Sequence, residues 1–96
     1  MNKQQAIQNL SNSKVILSQR FGVNRLTLFG STARNTATAI SDVDILVGFD
    51  GVADSKRYFG VQFYLEDLLQ CPVDLVTEKA LRPELRPFIE REAIDV

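Results

Sequence analysis

The sequence contains no histidine and only one cysteine, Cys71. A lone cysteine cannot form a disulfide within the chain, and the usual zinc sites of cysteine and histidine cannot form without histidine. Carboxylates are therefore the only credible ligands for a metal ion, and they favour hard cations.

The sequence also lacks an excess of basic charge and a long apolar segment. Its 11 basic and 12 acidic residues give a formal net charge of −1. Nucleic-acid-binding proteins usually carry a basic stripe, so we expect no direct nucleic-acid partner. No stretch approaches the roughly 20 apolar residues of a membrane span, and the polar N-terminus does not resemble a secretion signal. We therefore expect a cytoplasmic protein with no membrane partner.

What is present is the composition of an ordinary globular domain. Hydrophobic residues make up 45% of the 96 residues and charged residues 24%. This length predicts one domain over residues 1–96. Because such a domain buries only about three fifths of its unfolded surface, a partner subunit could supply further contacts.

Apolar residues at helical spacing predict three helices. The first covers residues 2–21, with a break or a second N-cap expected at Ser11–Ser13, whose side chains compete for backbone hydrogen bonds. The second covers residues 55–70 and is expected to be capped by Ser55. A closing helix follows Pro83, which suits a helix's first turn.

Runs of strand-forming residues predict a small sheet. The longest run is almost continuously apolar, which is typical of a central strand buried on both faces. Residues 31–41 are small and polar, so we expect a short helical turn and a loop there, outside the core. The strands are predicted at residues 25–29, 43–49 and 73–76. The fold class is therefore α/β (α+β), a small mixed sheet packed with helices.

An Asp-x-Asp pair lies where the central strand begins. Successive side chains of a strand point to opposite faces, so Asp42 and Asp44 lie on one side and Val43 on the other. Repulsion between the two carboxylates is costly unless a cation lies between them. Ligation by oxygen alone is what Mg²⁺ prefers, so the pair predicts a magnesium site.

A third acid and a glycine turn complete a candidate catalytic site. Asp74 interrupts another apolar strand, and we expect it to be buried beside the first pair, where the acids could hold two metal ions. Backbone N–H groups at Gly30 and Ser31 can bind phosphate oxygens. Arg34 is a further candidate for a phosphate contact.

Each of these features also has a structural interpretation. A Gly-Ser turn is usually only a turn, and Asp42 could simply cap an element. Asp74 could lie on an exposed strand face, paired with a basic residue, and Arg34 could pair on the surface with Asp42 or Glu90. Together, however, acids that interrupt two apolar strands violate their local pattern, which favours a functional site.

The aromatic residues on the second predicted helix are more often core than a surface for stacking bases. On a free face they could contact a partner. They are Tyr58, Phe59, Phe63 and Tyr64.

The spacing of Gly30 and Ser31, then ten residues, then Asp42-x-Asp44 resembles the signature of the DNA polymerase β-like nucleotidyltransferase superfamily, particularly its minimal nucleotidyltransferase (MNT) members. The resemblance spans nearly the whole chain through GSTAR, SDVDILVGF, CPVDLVT and LRPELRPFIEREAI. It implies a nucleotidyltransferase palm in which Asp42, Asp44 and Asp74 bind Mg²⁺ and act in catalysis. Gly30 and Ser31 would bind the triphosphate.

The chain departs from this family at two loop positions. Family members often carry a basic residue after Gly-Ser and a glycine after the arginine, whereas Thr32 and Asn35 occupy these positions here. Nucleotide affinity depends on this loop, so the departures bear on activity.

Small proteins of this type are commonly encoded beside a HEPN-domain ribonuclease as toxin–antitoxin pairs. The resemblance implies an antitoxin that transfers AMP from ATP to a tyrosine hydroxyl of a cognate HEPN toxin and forms a hetero-oligomer with it. Two alternatives are an antitoxin that only masks its toxin and a transferase acting on a small hydroxylated molecule. Three acids favour catalysis over masking, and a short chain leaves little room for a small-molecule pocket.

Overall fold

The computed structural model describes residues 1–38 and 41–96. The described residues form helices and strands in one alternating order. They are α1 Lys3–Phe21, β1 Val23–Phe29, α2 Gly30–Ala33, β2 Val43–Phe49, α3 Ser55–Leu69, β3 Val73–Thr77, α4 Arg86–Glu92 and β4 Ile94–Asp95. Part of the predicted loop, at residues 39–40, lies outside the described residues.

The strands form a mixed sheet in the order β3-β2-β1-β4. Strand β1 is antiparallel to both β2 and β4, whereas β2 and β3 are parallel. Two parallel strands need a crossover connection, which α3 provides. The predicted mixed sheet is confirmed, with β2 between two neighbours.

The hydrophobic core lies between α1, α3 and one face of the sheet. Alternate residues of β2 point into it, and Leu46, between them, is only 1% exposed on the opposite face. Strand β2 is therefore apolar on both faces, as its sequence predicts. The large, fully buried side chains of the core include Leu10, Leu17, Leu28, Ile45, Val61 and Leu65.

The break predicted in the first helix is wrong, because α1 continues through Ser11–Ser13. Ser13 is buried, and its hydroxyl donates a hydrogen bond of 2.8 Å to the carbonyl of Leu10 one turn earlier. The Ser13 hydroxyl thus finds its hydrogen-bond acceptor within the helix, and the backbone hydrogen bonds of the helix are kept.

Two further helix boundaries differ from the prediction. Asp54, and not Ser55, is the N-cap of α3, and its carboxylate accepts the backbone N–H of Arg57 at 2.8 Å. Helix α4 begins at Arg86 with Pro87 in its first turn, so Pro83 lies in the preceding turn. In both cases the predicted type of helix-start residue is present, but at a different position in the sequence: a capping side chain at 54 and a first-turn proline at 87.

Two elements contradict other expectations. Residues of α2 do enter the interior, because Thr32 and Ala33 are buried. The strand β4 was not predicted, since a strand of two residues has no periodicity to detect. Its Asp95 accepts hydrogen bonds from Thr27 and Arg25 of β1.

The aromatic residues of α3 are only partly in the core. Phe59 and Phe63 are exposed and stack with their ring centroids 6.2 Å apart. Tyr58 and Tyr64 are half-buried and pack against the core. In the described part of the chain, no helix is both long and apolar enough to cross a membrane.

Arg57 connects α3 to the chain segments that precede β1 and follow β2. Its guanidinium donates hydrogen bonds to the carbonyls of Phe21 at 2.8 Å and Val52 at 2.7 Å. It also reaches the carbonyls of Asp50 and Gly22. One planar group therefore donates to carbonyls on both sides of the β1 and β2 strands.

We predict that Arg57→Lys lowers the free energy of unfolding by about 1–3 kcal/mol, because one ammonium cannot reach carbonyls spread around a planar fork. Urea unfolding measures the change. Arg91→Lys, on the exposed surface of α4, is the matched control and should change stability by less than about 0.5 kcal/mol. Equal stability of the two variants would contradict the role given to Arg57.

Candidate functional site

Two of the predicted acids lie side by side on adjacent strands. In the parallel register Asp44 of β2 is the partner of Asp74 of β3. Partners in parallel strands point to the same face, and this face is opposite to the core. The adjacency that the sequence argument required is therefore present, and the site lies away from α1 and α3.

The exposure of these acids differs from the expectation that they are buried. Asp44 is half-buried, whereas Asp74 and Asp42 are exposed. Only Asp74's neighbours, Val73 and Leu75, enter the core. The apolar pattern around Asp74 therefore comes from its neighbours on the buried face of the strand. The Asp74 side chain itself lies on the opposite, solvent-exposed face.

The electrostatics of the site are centred on Asp44. The pKa of Asp44 is raised from 3.8 to about 6, chiefly by partial burial and then by the negative charge of Asp74 and a hydrogen bond with its carboxyl group. Smaller contributions to this pKa come from Asp42, which raises it, and from Arg34, which lowers it. The carboxyl groups thus repel one another enough to favour a proton or a cation between them.

The predicted phosphate turn is adjacent to this pair. Phe29, the last residue of β1, pairs with Asp44, so Gly30 and Ser31 begin α2 beside the acid. Gly30 has φ +72°, and a Cβ atom at this position would collide with the Asp44 carboxylate. Only glycine allows the backbone to approach the acid so closely.

Asn35 explains how the loop tolerates a departure from the family pattern. Its backbone has φ 60°, the left-handed conformation for which glycine is best suited. Asparagine adopts this conformation more readily than most other residues, so the turn after α2 is kept. Thr32, the other departure, is buried and not part of the turn: it is 1% exposed, and its hydroxyl oxygen lacks a hydrogen-bond partner among the described residues.

Arg34 is paired with a residue that the sequence argument did not consider. Its guanidinium lies 2.7 Å from the Glu92 carboxylate of α4, and not beside Glu90. Both side chains are more than a third exposed, so the pair contributes little stability. No local pattern predicts this contact, because 58 residues separate the two partners.

The donor set suits a hard divalent cation. The adjacent carboxyl groups of Asp44 and Asp74 supply oxygen ligands, and their repulsion is the kind that a cation relieves. Within residues 1–38 and 41–96, no three acidic, cysteine or histidine side chains already form a complete metal-binding cluster. Asp42 is exposed immediately before β2, and it does not join Asp44 and Asp74 in such a cluster.

A separate cavity of about 590 Å³ lies at the opposite ends of β2 and β3. Its walls include Gly48, Val52, Tyr58 and Lys79. None of the six predicted site residues lines it. The candidate site is therefore an open surface of the sheet and not the large cavity.

Comparison with known proteins agrees with this geometry. Residues 10–96 match the family described as nucleotidyltransferase domain. The chain is 38% identical over 87 residues to protein adenylyltransferase MntA of Thermococcus cleftensis, covering 91% of this chain and 88% of that protein. It is 41% identical over 88 residues to a Methanocaldococcus jannaschii protein that carries protein adenylyltransferase as a provisional name, covering 91% and 90% of the two chains.

Solved structures extend the comparison to the fold. A structure named as a minimal nucleotidyltransferase, also provisionally, matches with a TM-score of 0.84 at 34% identity, covering 100% of this chain and 97% of that one. A toxin–antitoxin crystal structure with AMP-PNP matches with a TM-score of 0.72 at 23% identity, covering 88% and 69%. A complex of a tri-AMPylated Shewanella oneidensis HEPN toxin with an MNT antitoxin matches at 0.66 and 21%, covering 94% and 70%.

These findings confirm the resemblance, the fold class and the enzyme class that the sequence predicted. They also agree with the predicted protein adenylyltransferase activity, since relatives carry that activity in their names. The roles of the acids and of the glycine turn stay predictions. The chain belongs to the nucleotidyltransferase domain family and is a nucleotidyltransferase of the minimal kind.

Proposed function

We propose that this protein is an antitoxin that transfers AMP from ATP to a tyrosine hydroxyl of a cognate HEPN ribonuclease toxin in the cytoplasm. The observation that carries the proposal is the parallel register that sets Asp44 against Asp74 next to the Gly30 turn. The names of the relatives and the toxin–antitoxin structures support the choice of acceptor.

The open position of the site suits a protein acceptor. Asp74 is exposed on a strand at the edge of the sheet, so a side chain carried by another protein can approach it without entering a cavity. A small hydroxylated acceptor would instead need walls around it, and the large cavity lies at the opposite strand ends. The geometry therefore favours an acceptor that brings its own surface.

In the proposed reaction, the tyrosine oxygen attacks the α-phosphorus of ATP. A new P–O bond forms to the tyrosine, the bond to pyrophosphate breaks, and the hydroxyl proton passes to the Asp74 carboxylate. Gly30 and Ser31 bind the triphosphate through backbone N–H groups, and Arg34 can exchange Glu92 for a phosphate oxygen. Catalysis then consists mainly of positioning these groups.

Asp42, Asp44 and Asp74 are proposed to bind Mg²⁺. When bound, the metal neutralises charge on the triphosphate and on the leaving pyrophosphate. Asp44 is the ligand held most firmly, since it is half-buried between Gly30 and Asp74. The exposed acids on either side can adjust to the substrates.

We predict that the double variant Asp42→Asn with Asp44→Asn loses AMP transfer by roughly 1000-fold or more, because the metal ligands disappear while side-chain volume is kept. The matched control, Asp50→Asn with Asp67→Asn, removes two exposed acids outside the site and should keep full activity. Transfer of [α-³²P]ATP label measures both. Undiminished transfer by the first variant would exclude the metal site.

Asp44 also predicts how stability depends on pH without Mg²⁺. Its folded pKa of about 6 lies above its ordinary value of 3.8, so the folded protein binds the proton more tightly. This contribution to stability is complete below about pH 4 and is lost as pH rises through 6. We predict that the unfolding free energy of wild type minus that of Asp44→Asn falls across this range. Urea unfolding at pH 4–7 measures it.

The same measurement with Mg²⁺ tests the metal. Binding a cation to ionised Asp44 stabilises the folded state above pH 6. With Mg²⁺, the difference in unfolding free energy between wild type and Asp44→Asn should therefore fall less between pH 4 and 7, or rise. A pH profile that does not respond to Mg²⁺ would contradict the metal assignment.

The acceptor is tested by intact-mass spectrometry of the co-expressed HEPN protein after incubation with this protein, ATP and Mg²⁺. We predict a mass gain of one or more AMP units on a tyrosine and no gain with the Asp42→Asn, Asp44→Asn control. A stable complex without any mass gain would favour the masking antitoxin. Transfer only to a small hydroxylated compound would favour the other alternative.

A further inference from the structure

Strand β3, which carries Asp74, is one of the two edge strands of the sheet. On its inner side, the Pro72 carbonyl accepts the Val43 N–H at 3.0 Å, and the Glu78 N–H donates to Val47 at 3.1 Å. Residues of a parallel strand alternate between the two sides, so the backbone groups of Val73 and Leu75 point outward. An outer edge of this kind normally presents unpaired groups to water or to other chains.

Three side chains of α3 occupy that outer edge, and we call them the α3 clasp. The Tyr58 hydroxyl donates to the Leu75 carbonyl at 2.5 Å. The Gln62 amide donates to the Val73 carbonyl at 3.4 Å, and the Glu66 carboxylate accepts the Val73 N–H at 3.1 Å. Spaced four residues apart, Tyr58, Gln62 and Glu66 form one row along the helix.

The clasp holds the backbone on both sides of Asp74. Its bonds end on Val73 and Leu75, the two residues that flank the acid, so they restrain the direction of the Asp74 Cα–Cβ bond. The helix itself is rigidly seated, because Val61, Leu65 and Leu69 are buried in the core on its inner face.

Without the clasp, β3 would be joined to the sheet along one side only. The strand has five residues, and short edge strands with solvent-exposed hydrogen bonds are the segments that open most easily. Motion of β3 would move Asp74 relative to Asp44, its partner on β2. A displacement of about 1 Å in a reacting group is enough to reduce a rate by roughly 10²-fold.

We propose that Tyr58, Gln62 and Glu66 are positioning residues that hold β3 so that the Asp74 carboxylate faces Asp44 in the geometry needed for transfer. The proposal rests on the proposed function only in making Asp74 part of the reaction. Among the described residues, the hydrogen bonds of the clasp to β3 all end on backbone atoms of Val73 and Leu75. The clasp acts through the backbone on either side of Asp74.

Tyr58→Phe removes one clasp bond and keeps the aromatic ring. We expect kcat for AMP transfer to fall roughly 10-fold while KM for ATP stays within about 2-fold, since the phosphate turn lies on other elements. The matched control is Tyr64→Phe on the same helix, whose ring packs against Phe21 at 6.5 Å between centroids. An unchanged kcat in Tyr58→Phe, or equal losses in both variants, would overturn the proposal.

Two variants of Glu66 distinguish a positioning role from an effect on overall stability. Glu66→Gln keeps an oxygen that accepts the Val73 N–H and should keep kcat near the wild-type value, whereas Glu66→Leu removes the acceptor and should lower it roughly 10-fold. A purely structural role would lower the melting temperature of Glu66→Leu without changing kcat well below that temperature. This outcome would also overturn the proposal.

Amide hydrogen exchange tests the clasp without any activity. The Val73 amide should exchange at least about 10-fold faster in Glu66→Leu than in wild type, and at the wild-type rate in Glu66→Gln. If wild type transfers no AMP but exchange responds as expected, the proposed function fails and the clasp stands. If wild type transfers AMP and neither exchange nor kcat responds, the clasp fails and the proposed function stands.

Discussion

Parallel pairing between β2 and β3 is the constraint that positions the rest of the structure, because it decides which residues become neighbours on the open face of the sheet. It brings Asp44 and Asp74 together and requires a crossover helix, α3, to connect the two strands. Burial of α3 against the core then seats the helix beside the outer edge of β3. One topological choice therefore creates both the pair of acids and the element that borders it.

The acidic site lowers the stability of the folded protein without a metal ion, and the buried core offsets this loss. Partial burial and, after it, the neighbouring carboxyl groups raise the pKa of Asp44 to about 6, which means that ionising Asp44 is unfavourable in the folded state. The apolar layer beneath, with Leu28, Ile45 and Val61 fully buried, provides the opposing stability. Local arrangements that cost stability in this way tend to mark functional sites.

Most of the fold could be predicted because burial imposes regular spacing on the sequence. Helical spacing in α1 and α3 reports which side of each helix faces the core, and the apolar run of β2 reports burial on both faces, so all three were found. Ser13 misled the prediction because its hydroxyl bonds within the helix. Strand β4 escaped because two residues have no period, and its pairing depends on Thr27 and Arg25, which are distant in sequence.

The sequence by itself determined the chemistry: an Asp-x-Asp pair at a strand, a third acid in another strand, and a glycine turn, which together identify the family. Residue types and spacing carry that information locally. Only the tertiary structure decided which acids are exposed, that Arg34 pairs with Glu92, and that α3 side chains border β3. Such facts depend on contacts between segments far apart in the chain, and the packing of the folded protein alone brings those segments together.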